Sequence, residues 1–140
     1  MSKLYNTYLA LKKQNSETIY LFKSGIFFLA LDKDAYILSN TFNFKLGNLT
    51  DTVVKCGFPC SSINKYSNLF KVHNLTIQII ELDNNIIYNL NEYIHSQSII
   101  ELLEVINSVD INNLSITEAY QWIKDLKHKA SKFNDYGENI

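Results

Sequence analysis

Cys56 and Cys60, with His73, His95 and His128 elsewhere, are the residues of this 140-residue chain that invite a metal. A Cys-x-x-x-Cys pair without a second close pair falls short of the spacing that closes a tetrahedral zinc shell, so no metal is expected. Cys56 ends a β-branched run and Cys60 follows Pro59, which suits buried free thiols better. Glu101 and Glu104 lie one helical turn apart, the spacing of a solvated face. No Ser/His/Asp set or paired-carboxylate set stands out. No G-x-x-x-x-G-K-[ST] run occurs, and with only four glycines there is no loop to cradle phosphates. Neither an enzyme nor a cofactor is therefore expected. The other feature that could act on a ligand is an aromatic one. Tyr20–Leu31 is the most apolar stretch of the chain, with Gly25 near its middle. Strand alternation sends Phe27 and Phe28 to opposite faces, so one of them must meet something other than the core.

The elements that would position these residues follow from the hydrophobic period. Leu4, Tyr8 and Leu11 predict an amphipathic helix over 3–14. Thr18–Phe22 and Ile26–Leu31 predict two strands joined at Ser24-Gly25. Asp32 reads as the N-cap of a second helix with Ala35, Leu38 and Phe42 inward. Gly47-Asn48 reads as a hairpin signal, Thr52–Cys56 as a strand, and Gly57-Phe58-Pro59 as a turn. Ser61 or Ser62 can cap a third helix bearing Ile63, Tyr66 and Phe70. Thr76–Leu82 is the clearest strand, and Ile86–Tyr88 adds a short one. After about residue 90 the period is helical throughout. Ile99, Leu102, Leu103 and Ile106 share one helix, and a capping box at Ser115-Ile116-Thr117-Glu118 opens the last.

The expected fold is α/β: a mixed sheet of five or six strands with three surrounding helices over 1–90, a helical hairpin over 91–132, and a fraying polar tail over 133–140. Trp122, Ile123 and Leu126 extend apolar surface around the last helix, which makes them a candidate dimer interface. All thirteen basic residues are lysines and the net charge is −1, so no whole-molecule field draws in a polyanion. Met1-Ser2-Lys3 leads into an amphipathic segment, not a signal peptide, and no apolar run approaches a membrane span of roughly 18 residues. A cytoplasmic location is expected.

Three segments, in order, resemble the N-terminal mismatch-recognition domain of MutS, the bacterial mismatch repair protein. Tyr8-Leu9-Ala10-Leu11-Lys12-Lys13 is similar to the family's Y-L-x-x-K helix. Phe22-Lys23-Ser24-Gly25-Ile26-Phe27-Phe28-Leu29 is similar to F-[FR]-x-G-D-F-Y-E. Gly57-Phe58-Pro59, with Tyr66 and Leu69 beyond it, is similar to G-I-P-x-H-…-Y-x-x-L. The tail, Leu114-Ser115-Ile116-Thr117-Glu118-Ala119 with Trp122, Leu126 and Lys127, is similar to the helix that helps MutS proteins dimerise.

The resemblance implies that Phe27 stacks on a mispaired base from the minor groove. The family's base-bonding Glu is Leu29 here, the Asp before the Phe is Ile26, and Ser61 stands in place of the His. Leu29 can neither donate nor accept a hydrogen bond. The expected function is a non-enzymatic module on double-stranded DNA, mismatched or not, without the family's mode of base reading. Lys12, Lys13, Lys23 and Lys55 are the candidate phosphate donors. The alternative is a protein-interaction module, a homodimer or the partner of a MutS-family protein, that no longer reads DNA.

Overall fold

A computed structural model describes residues 3–137 of the chain. The chain divides into two compact units, Met1–Asn91 and Glu92–Ile140.

The first unit is built on a mixed six-stranded sheet in the order β3-β4-β2-β1-β5-β6. The strands are β1 (Ile19–Ser24), β2 (Phe27–Leu31), β3 (Gly47–Asn48), β4 (Val54–Pro59), β5 (Ile77–Glu81) and β6 (Ile86–Asn89). Among the described residues only β1 and β5 run parallel, and the other strand pairs of this sheet are antiparallel. The helices are α1 (Lys3–Gln14), α2 (Asp32–Phe42) and α3 (Ile63–Val72).

Alternation along β1 divides the core between the two faces of the sheet. On one face Tyr20, Phe22, Leu31 and Ile80 cluster with Tyr8 of α1, and Leu4, Tyr5 and Leu11 pack against them. On the other, Phe28 meets Phe58, and Phe58 meets Phe70 of α3. The buried Cys56 thiol on that face donates to the carbonyl of Ala35 in α2 at 3.6 Å. Full burial of one such apolar side chain stabilises the unit by about 1.5–3 kcal/mol.

Three local expectations are corrected. Gly57-Phe58-Pro59 is the end of β4, not a turn, and each of these residues pairs with β2. The β3 ladder reaches only Val54 and Lys55, so Pro59 sits where β4 is an edge and its missing N–H costs no ladder bond. Gly47-Asn48 is a strand, and the reversal comes later, closed by the Leu49 N–H donating to the Val53 carbonyl at 2.8 Å. Asp32 does not cap α2: Leu31 occupies the N-cap, and no side chain bonds there. Asp32 takes φ of 50° and its carboxylate accepts from the Tyr5 hydroxyl at 3.4 Å.

The second unit contains most of α4 (Leu90–Ser108), a 3-10 turn at Ile111–Asn113, and α5 (Ile116–Gly137). The cap at Ser115 forms as its spacing implies, with the Glu118 N–H donating to Ser115 Oγ at 3.1 Å. Residues 133–137 of the polar tail fall within α5, and residues 138–140 lie outside the described residues. No described side chain after Ile94 is buried. Ile99, Ile100, Leu103, Ile106, Ile116, Tyr120 and Ile123 are all exposed. No helix among the described residues is long and apolar enough to cross a membrane.

Candidate nucleic-acid interface

The β1–β2 hairpin turns in two residues. Ser24 pairs with Phe27, leaving Gly25-Ile26 as the loop. Gly25 has φ of 60° and Ile26 does not share the positive sign, the pattern of a type II′ turn with glycine at its first central position. Ile26 therefore belongs to the apex, one residue outside the strand expected to begin there. The Cys60 N–H donates to the Ile26 carbonyl at 2.7 Å, which ties the apex to the end of β4.

Of the two adjacent phenylalanines, Phe28 enters the core and is fully buried, while Phe27 keeps 43% of its surface exposed. Beside it Ile26 is 74% exposed. The tip thus presents two apolar side chains on a backbone held by β1 on one side and β4 on the other. Leu29 follows on the same face as Phe27 by alternation, half-buried, between Phe22 of β1 and Gly57 of β4.

Gly57 is there because no larger residue fits. A Cβ at that position would overlap the carbonyl oxygen of Phe28 and come within 2.9 Å of Leu29 Cδ2. The obstructing atom is backbone of the neighbouring strand and cannot rotate away. Gly57→Ala is expected to cost about 1–3 kcal/mol, the usual range for overpacking, as a lower midpoint in urea unfolding with unchanged slope.

The four lysines fare differently. Lys12 Nζ donates to the carbonyls of Ser16 and Thr18 and to Asp34 Oδ1, each at 2.8 Å. An ammonium has three donors, and these bonds use them all. Asp34, with no exposed side-chain surface, completes the network by accepting the Tyr20 N–H at 3.0 Å. Burial pushes the Asp34 carboxyl above its ordinary value, and the Lys12 and Tyr20 bonds pull it back only in part. Lys12 is thus a clamp joining α1, β1 and the first turn of α2. Lys23 lies 3.8 Å from Glu81 Oε1 and lines a small open cleft with Gly25, Glu81, Leu82, Asp83 and Asn84. Lys13 is exposed and Lys55 half-buried, and among the described residues neither makes an ion pair.

The register sorts these charges by face. Lys55 stands opposite Leu31, and Gly57 opposite Leu29, so Lys55 shares the face of Leu29 and Phe27. Lys23 pairs with Phe28 and falls on the opposite face, with Glu81.

Both cysteines are free, Cys56 buried and Cys60 half-buried. Burial, with the nearby Asp34 carboxylate adding to it, pushes the Cys56 thiol up to about 11, and burial likewise raises Cys60. Among the described residues no group of three His, Cys, Asp or Glu side chains could hold a metal ion.

Local sequence signals could not have separated Lys12 from the other lysines, because its charged partner lies 22 residues away. The apex role of Ile26 was readable from Gly25, since a glycine at the first loop position of a two-residue hairpin leaves the next residue at the tip.

No curated protein matches the chain. The sequence model of the MutS domain I family does match, over residues 2–96. That span contains all three motifs and ends within α4, leaving Trp122, Ile123 and Leu126 outside it. The match covers more than half of the 140 residues, and the chain belongs to the MutS domain I family.

Proposed function

We propose that the chain is a non-enzymatic module that binds double-stranded DNA through the β1–β2 tip, with Phe27 as a wedge between base steps. One observation carries this reading. A large aromatic stands exposed beside a two-residue hairpin turn while its neighbour Phe28 fills the core. Apolar wedges of this kind unstack a step from the minor groove, and a defective step costs less to open. Lys13 and Lys55 are the phosphate donors this reading retains. Lys12 is committed within the protein, and Lys23 is shared with Glu81. Leu29 occupies the position from which a carboxylate would bond the base, so the module responds to a defect without a hydrogen bond to it.

Magnitudes keep the affinity modest. Stacking one base returns about 1–3 kcal/mol, while bending a site costs on the order of 1–6 kcal/mol. The test is fluorescence anisotropy of a labelled duplex containing one unpaired base, at low and physiological salt. Two phosphate contacts give a slope of about −2 in log K against log salt. Phe27→Ala is expected to weaken binding by about tenfold or more, from the lost stacking. Unchanged binding would remove the wedge from the proposal.

A second reading, from a different class, is favoured by α4 and α5. Helices with an apolar row in water are usually covered. A second copy of this chain, docked along the exposed Ile123 with the half-buried Trp122 and Leu126 beside it, would cover it. Sedimentation equilibrium separates this reading from a monomer, and a MutS-family protein is the other partner to try if the chain sediments alone.

A further inference from the structure

We infer that Ile26 is a second wedge residue, inserted beside Phe27 when the β1–β2 tip meets duplex DNA. The inference rests on the proposed DNA-binding reading and deepens it.

Ile26 is the most exposed apolar side chain of the β1–β2 hairpin, at 74%, and stands next to Phe27 at the apex. A β-branched residue at a solvent-facing loop position gains nothing for folding by being apolar there. Its backbone is nevertheless fixed, by the type II′ geometry at Gly25 and by the Cys60 N–H bond to its carbonyl. Together Ile26 and Phe27 form a narrow, stiff, apolar prow. That shape suits insertion between stacked bases, where Ile and Phe are both established wedge side chains.

The surrounding charges favour a polyanion on one side of the tip only. Lys55 lies on the sheet face of Phe27 and Leu29, four residues before Pro59, the strand partner of Phe27. At the rise of a β-strand this is about 13 Å, within reach of a phosphate near an inserted step. Glu81 lies on the other face with Lys23, and Asp83 lies beside it in the cleft. Duplex DNA therefore approaches from the Lys55 face.

The test measures anisotropy for wild type, Ile26→Ala and Phe27→Ala. The duplexes carry one unpaired thymine, a G·T mismatch, an A·C mismatch, or no defect. Ile26→Ala is expected to lose about tenfold in affinity for the unpaired-base duplex, from the apolar surface removed. Its urea unfolding midpoint should match wild type, because Ile26 is outside the core. Ile26→Ala binding like wild type while Phe27→Ala is weakened overturns the second wedge and leaves the DNA reading standing. No binding of any duplex by wild type at low salt overturns the DNA reading itself.

Discussion

Phe28→Ala should unfold the first unit far more readily than Phe27→Ala, although the two residues are neighbours of the same type. Phe28 is fully buried against Phe58, in an aromatic group that continues through Phe70, Tyr66 and Phe44. Truncating a buried Phe costs about 3–5 kcal/mol, the lost transfer energy plus the cavity left behind. Phe27 fills no such cavity, and its loss should stay near about 0.5 kcal/mol, the range for surface changes. Urea unfolding of the two variants measures the difference. Equal destabilisation would mean that Phe27 serves the core and is not displayed for a ligand.

The second large effect concerns the clamp. Removing Lys12 leaves the buried Asp34 charge with only the Tyr20 N–H, and removing Asp34 leaves the half-buried Lys12 ammonium with two carbonyls and no counter-charge. Lys12→Met and Asp34→Ala are each expected to cost about 3–5 kcal/mol. The double variant Lys12→Met/Asp34→Leu, which removes both charges and keeps apolar volume, should recover most of that loss. The pH dependence follows from the direction of the Asp34 shift. Its folded-state pKa is raised from 3.8, so the folded chain holds this proton more tightly than the unfolded chain does. The resulting stabilisation is complete below 3.8 and is lost as pH rises through the raised value. Relative to Asp34→Asn, wild type should therefore lose stability across that window as pH increases. The opposite slope would mean that Lys12 outweighs the cost of burial.

The sequence made the β1–β2 hairpin legible because its determinants are local: a glycine within an apolar run, flanked by β-favouring residues. The helix at 3–14 was legible for the same reason, through Leu4, Tyr8 and Leu11. Gly57-Phe58-Pro59 was not. Glycine and proline signal a turn locally, but here each answers a distant strand. Gly57 makes room for the Phe28 carbonyl, and Pro59 lies where β4 has no second partner. Asp32 likewise looked like a cap from its neighbours, whereas its actual partner is Tyr5, 27 residues away. Within the candidate site, the exposure of one of two phenylalanines followed from alternation alone. Which one was exposed depended on the register of β2 against β4, and the capture of Lys12 depended on a buried carboxylate in another element. Neither of these is written in any short window of sequence.

The measurement that bears most directly on the proposed wedge is the fluorescence of 2-aminopurine placed beside an unpaired base in a duplex. Unstacking that base raises its emission. Wild-type protein is expected to raise it on binding, and Phe27→Ala, added at a concentration that restores binding, is expected not to. Equal enhancement by both proteins would contradict a wedge at Phe27.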